Sequence, residues 1–344
     1  MAKRFKPIPH PKFLTPSDLP LLDFVPPKQE RQRDGVKSTN VVKTDNFGLL
    51  ISRLIPFQVV RNDKEDVITE VKNDRFGNDR EATYQTLRNQ WFEHCTLNYT
   101  SSNKAIADLI DNSYQRWIAI TEGAARFSMV ARSRMIIGLG GKGTLEFGIT
   151  LHPVTGLPYI PGSALKGLCR NYALYYIARQ SEISLDPATV KDPSEVAKQI
   201  DEQLTEVKDH GLKIRPEYAM LYRNLFGTQK EAGQCVFFDA VIRQMPDDRS
   251  LFVVEVMTPH FRQYYESNGQ KPAHDADDPN PIMFIAVSEG VRFTFAVGLR
   301  RTASVDNGIL RDARQLLQEA LELMGIGAKT ASGYGVFAPV QKQK

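Results

Sequence analysis

Two stretches of this chain combine residue types that hold phosphate. The first is GIGAKTASGYG, Gly325–Gly335, where four glycines, a lysine, a threonine and a tyrosine share eleven positions. Glycine at that density means a backbone that bends sharply or meets another group closely. A phosphate loop of the Walker A type needs glycine before the lysine and must lie between a strand and a following helix. Here Ala328 precedes Lys329. The loop also follows a helix-patterned segment and leads into a strand-like one, so no helix N-terminus faces it. One reading is structural: Gly325 ends the helix and the rest is a tight connection. The other is that Gly325, Gly327, Lys329, Thr330 and Gly333 take a sugar-phosphate backbone, with N–H groups and one cation. Tyr334 packs on a ribose or base, or into the core.

The second stretch is PYIPGSALKG, Pro158–Gly167. Its prolines forbid a helix before Gly162, and Ser163 is a good N-cap for the helix that follows. The first N–H groups of such a helix attract an anion. Lys166 is expected in the first turn, with Arg170 one turn on along the same face, so a phosphate there would meet donors, a hydroxyl and two cations. A plain helix start with surface cations is the competing reading. GLGGKGT, Gly138–Thr144, raises the same choice around Lys142, between a flexible hairpin and a phosphate contact.

Acid–base chemistry is harder to find. The six histidines are His10, His94, His152, His210, His260 and His274, and none recurs at metal-ligand spacing. His152 in LHP and His260 in PHF flank the motifs above and are the candidates for metal-independent RNA cleavage. Asp239 in FFDAV is expected to anchor a turn or pair with a cation, and is the lone carboxylate candidate for acid–base work. No paired carboxylates, Ser-His-Asp set or cofactor box stands out, so no cofactor and no metal are expected.

The elements that carry these motifs follow from pattern. Residues 1–45 hold seven prolines and read as an extended basic arm. The arm carries nine Lys/Arg and four Asp/Glu up to residue 43, which is +5 of the chain's net +4. The rest is 4 − 5 = −1, so nucleic-acid binding would come from local patches. Residues 46–122 form a mixed, largely helical extension, with Leu87, Trp91, Cys95 and then Ile106, Ile110, Trp117 at helical spacing. Beyond it, ARFSMVARSRMIIGLG is a strand. A helix follows Gly162 with Leu165, Leu168, Tyr172 and Tyr176 on one face. Residues 181–230 are charged helices. GQCVFFDAVIRQ and SLFVVEVMT are strands, and IMFIAVSEGVRFTFAVGLR is a hairpin turning at Ser288–Gly290. ILRDARQLLQEALELM is amphipathic, and YGVFAPV is a last strand. The order is that of an α+β, ferredoxin-like (RRM-type) βαββαβ core with insertions. Cys95, Cys169 and Cys235 show no CxxC pair, no apolar run reaches transmembrane length, and no secretory leader is read. A cytoplasmic protein with no membrane contact is expected.

Taken in order, GLGGKGTLEFGITLHPVTGLPYIPGSALKGLCR, LFGTQKEAGQCVFFDAVI, MTPHF with the following YY, and GIGAKTASGYGVF resemble the RAMP superfamily of CRISPR-associated proteins. The set is closest to the sixth-subunit family of the type III-B effector, the Cmr complex. The resemblance covers roughly residues 125–340. It implies an RRM-type fold with the glycine-rich loop near the first helix of the domain spanning 123–344. It implies a ribonucleoprotein of other Cmr subunits, guide RNA and target RNA, in which this family holds the 3′-proximal part of the guide. A β-hairpin thumb that wedges into the guide–target duplex is expected in 259–281, where Arg262, Tyr264 and Tyr265 lie. Cleavage in such complexes belongs to a neighbouring subunit, so the chain is expected not to be an enzyme. The alternative is an endoribonuclease that processes CRISPR RNA, as some superfamily relatives are.

Overall fold

The computed structural model describes residues 46–52, 96, 99–139, 148–247, 249–258, 264–265, 267–272, 282–300 and 307–340. The arm, Leu87, Trp91 and Cys95 lie outside the described residues.

The centre is a five-stranded antiparallel sheet. Strand β1 (Ala125–Ala131) alternates, with Phe127, Met129 and Ala131 buried on one face. It pairs on one side with β6 (Arg292–Leu299) and on the other with β7 (Phe337–Pro339). Beyond β6 lie β2 (Cys235–Phe237) and β3 (Val241–Gln244). The order across the sheet is β2–β6–β1–β7, with β3 also on β6. GQCVFFDAVIRQ, expected as one strand, is thus two short ones. The break at Phe238–Ala240 turns Asp239 out of the ladder, and Phe238 and Ala240 bond instead to Ala296 and Ile160.

The helix from the PGSALKG motif, α3 (Gly162–Gln180), buries Leu165, Cys169, Ala173 and Ile177 against the sheet. The expected stripe of Leu168, Tyr172 and Tyr176 flanks that core, half-buried. The small Cys169 and Ala173 bring the helix close to the strands, and the tyrosines reach sideways: Tyr172 donates to Glu319 at 2.9 Å, and Tyr176 meets the Tyr218 ring edge-on. The expected charged helices are α4 (Pro193–Leu204), capped by Asp192, and α5 (Pro216–Phe226). Helix α6 (Asn307–Leu323) packs beside α3, with Ala313, Leu317 and Leu321 buried and Arg314 over the Phe127 ring.

The expected hairpin at Ser288–Gly290 is corrected. Gly290 does turn the chain, at φ +85°. The strand before the turn, β5 (Ile282–Val287), pairs with β4 (Phe252–Met257) in a separate two-stranded ribbon, and β6 after it joins the main sheet. The turn therefore carries the chain between two sheets. Residues 258–281 connect the two strands of the ribbon.

Of the N-terminal extension, α1 (Phe47–Ser52) and α2 (Lys104–Ile120) are described. Helix α2 packs against β3 of the main sheet. Arg126 of β1 donates to the carbonyls of Ile118 and Thr121 at the end of α2, Trp117 donates to the Asp239 carbonyl, and Arg243 of β3 stacks on Tyr114. Phe47 is fully buried and stacks on Phe252 with ring centroids 3.9 Å apart, while Tyr99 meets both rings edge-on. The extension is thereby part of the core. Phe47→Ala leaves a cavity between α1 and the ribbon and should cost about 3–5 kcal/mol, measured as the shift in the urea unfolding midpoint.

Candidate nucleic-acid interface

The glycine loop is strapped to the segment that follows β1. The Ala328 N–H donates to the Ile136 carbonyl at 2.8 Å, and the Gly335 N–H to the Arg134 carbonyl at 2.8 Å. Across the loop the Ile326 N–H donates to the Gly335 carbonyl at 2.9 Å. These contacts decide what the glycines are for. At Gly327 (φ +100°) a Cβ would fall 2.1 Å from the Ile136 oxygen, and at Gly335 (φ +74°) 1.9 Å from the Ile326 oxygen. Gly325 (φ +71°) follows the end of α6 and lies against the backbone of Tyr334 and Gly335. Those three glycines admit the protein's own backbone. Gly333 differs: its φ is +87°, and a Cβ there would meet nothing within 4 Å. With the single 3-10 turn Thr330–Ser332 it forms the apex, where Ala331, Ser332 and Gly333 are exposed. This apex is open to solvent.

Lys329 and Tyr334 point back from the apex onto the β4–β5 ribbon. The Lys329 ammonium donates to the Met257 sulfur and lies 5.8 Å from the Phe284 ring centroid. Such a site suits the long apolar stem of lysine as well as its charge. The Tyr334 hydroxyl donates to Glu255 Oε2 at 3.1 Å, and the same carboxylate forms an ion pair with Arg134. Burial, then the hydrogen bond to Glu255, pushes the Tyr334 hydroxyl above its ordinary value. Of the two alternatives for Tyr334, packing into the protein is the one observed.

The helix start is built differently from expectation. Pro161, not Ser163, is the cap residue, and no side chain of its own caps the helix. Gly162 is the first helical residue, and its N–H donates to Asp239 Oδ1 at 2.7 Å. A carboxylate of the chain thus sits at the helix start, where the dipole favours negative charge. A Cβ at residue 162 would fall 2.1 Å from the Phe237 oxygen, so glycine is required where α3 crosses β2. Ser163 is the second helical residue, and Lys166 lies beyond the first turn. Lys166 neighbours Cys235: burial pushes that thiol up to about 11, and the lysine charge pulls the other way. Arg170 grips Asp201 of α4 with both carboxylate oxygens, at 2.7 and 2.8 Å, and donates to the Tyr222 hydroxyl at 2.8 Å. Its guanidinium ties α3 to α4 and α5. Among the described residues, no hydrogen bond or ion pair joins the glycine loop to α3.

Lys142, Arg262 and His260 lie outside the described residues. Tyr264 stands against Tyr265 with ring centroids 5.3 Å apart, and Tyr265 is 69% exposed. The His152 Nδ1 accepts from the Thr155 N–H at 3.3 Å within a tight turn, a structural use of the ring. No group of three or more His, Cys, Asp or Glu among the described residues could hold a metal ion, and no helix among them is long and apolar enough to cross a membrane. Sequence reasoning passed over Glu255 and Arg134. Each is an ordinary charged residue in its own segment, and only their meeting gives them a role.

Residues 128–338 match the family model described as the RAMP superfamily, well over half of the chain, and the chain belongs to that superfamily. Among relatives, it is 35% identical over 225 residues to the CRISPR system Cmr subunit Cmr6 of Pyrococcus furiosus, across 59% of this chain. The match spans 64% of that relative's length, a little under two thirds. The Cmr6 subunit of Saccharolobus solfataricus is 22% identical over 299 residues, 85% of each chain. Similar solved structures include the crystal structure of Pyrococcus furiosus Cmr6, with a TM-score of 0.42 and 28% identity over 63% of this chain and 98% of that one. A chain of the type III-B Cmr-beta complex bound to cognate target RNA gives a TM-score of 0.47 and 19% identity over 77% of each.

The glycines rank by contact. Gly335→Ala forces both a left-handed backbone and an overlap with Ile326, and should lose well over the ~1–2 kcal/mol of the conformation alone. Gly333→Ala, in open space, should lose about that conformational cost and no more. Urea titration of the two variants checks the order.

Proposed function

We propose that this chain is a non-catalytic, RNA-binding subunit of a type III-B CRISPR effector, the Cmr complex. It would hold the 3′-proximal part of the guide RNA and the guide–target duplex in antiviral defence, beside other Cmr subunits. The observation that carries this reading is the 35% identity to a Cmr6 subunit, together with membership of the RAMP superfamily. The strand order β7–β1–β6–β2/β3, with α3 and α6 packed together, supports a ferredoxin-like core.

The backbone of a guide of any sequence would lie on the loop apex, Thr330–Gly333, with Lys329 behind it, and on the cationic side of α3 at Lys166. Phosphate contacts of that kind are sequence-independent and salt-dependent. Arg170 serves this surface by fixing α3 to its neighbours. Tyr264 and the exposed Tyr265, in the segment that joins the two strands of the ribbon, suit stacking on bases.

Filter binding of the full chain to single-stranded RNA across a salt series tests the reading. Lys166→Ala and Ser332→Glu should each weaken binding of all sequences about equally, and Lys166→Ala should flatten the log–log salt slope by about 1. Unchanged affinity and slope in both variants would sink it. Incubating the chain with repeat RNA in EDTA tests the absence of catalysis. Site-specific cleavage that disappears on changing His152 or His260 would show an endoribonuclease instead.

A further inference from the structure

The inward face of the β4–β5 ribbon is held from outside at three points. Glu255 on β4 is only 12% exposed at its side chain, and its two carboxylate oxygens have different partners. Arg134, from the segment after β1, pairs with one oxygen, and Tyr334, from the glycine loop, donates to the other. Two residues along the same face, Met257 accepts from Lys329, whose ammonium also lies over Phe284 of β5. The backbone repeats the arrangement. Met135 exchanges both hydrogen bonds with Val287 of β5, at 2.9 and 2.8 Å, while its neighbours Arg134 and Ile136 accept from the glycine loop. Behind these contacts Ile136, Phe284 and Ala286 form a small buried cluster against Val253, Ala328 and Tyr334. Loop and ribbon therefore move as one piece only while the residues of this seam hold them.

We propose that Glu255 is a positioning residue that locks the ribbon to the glycine loop in the arrangement that binds RNA. This rests on the RNA-binding reading above. Two weak contact elements fixed relative to one another engage one strand as a single preorganised surface; unlocked, each binds nearly alone. The sign of the effect separates this role from simple electrostatics. A carboxylate beside an RNA path repels phosphate, so its removal should strengthen binding if charge alone mattered. The lock requires the reverse.

The test uses the full chain and a single-stranded RNA of about 30 nucleotides, on the order of 100 Å when extended and so long enough to reach both elements. Glu255→Ala should weaken binding about 10-fold or more, because the second contact no longer benefits from the first. The salt slope should stay near that of the unchanged protein, since no cation has been removed. Hydrogen exchange should accelerate within 134–137, 252–257, 282–287 and 325–335 and not elsewhere. Tyr334→Phe, which keeps the ring and loses only the hydroxyl, should give a smaller change in the same direction at the same segments. Binding by Glu255→Ala that is equal to or tighter than that of the unchanged protein would overturn the proposal. Exchange that rises across the whole chain, or rises in the ribbon but not in the loop, would overturn it as well. Failure of the unchanged protein to bind RNA would instead strike the functional reading, and the exchange pattern would still decide whether the lock exists.

Discussion

The backbone of residues 134–137 continues past the end of β1 with polar groups on both edges, and the buried ones need partners inside the protein. The chain meets that constraint by alternation. Met135 bonds to β5 on one edge; Arg134 and Ile136 accept from the glycine loop on the other; Ile137 accepts from Thr150 at 2.8 Å. Met135 and Ile136 are fully buried, so water cannot replace their partners. The glycine composition of the loop follows directly. A residue with a side chain at 327 or 335 would block the carbonyl contacts on which the loop's seat depends, and the ribbon, the loop and the end of the main sheet would separate.

A similar economy governs the start of α3. Helix N-termini attract anions, and the motif PGSALKG carries donors and cations that would suit one. The protein uses Asp239 there, set free by the break between β2 and β3, and the same residue's carbonyl receives Trp117 from α2. One residue thus joins the first helix of the family domain to the N-terminal extension. Arg170 is similarly committed to partners of the chain, Asp201 and Tyr222. The cations left facing outward on this side are fewer than the motif implied, so the RNA-binding reading leans on the loop apex and Lys166.

Helix α2 of the extension packs along β3 and is held there by Arg126, Trp117 and Arg243.

Much of the fold was legible in the residues. Period-2 burial in ARFSMVA, the amphipathic α6 and the prolines before Gly162 all act locally, and a local pattern survives in any single segment. The superfamily was legible too, because its motifs are short and contiguous. The partners of those motifs were not. Nothing in IMFIAVSEGVRFTFAV says that its two halves join different sheets, since both are equally apolar; the available edges of β1 and β4 decide that. Nothing in GIGAKTASGYG says whether its glycines admit RNA or Ile136 and Ile326, since a close approach needs glycine whichever backbone arrives. Residue type and spacing determined where this chain must turn, where it carries charge and to which superfamily it belongs. Tertiary structure alone decided which charges face outward, because a cation's availability depends on whether a distant residue, such as Asp201 for Arg170, has already taken it.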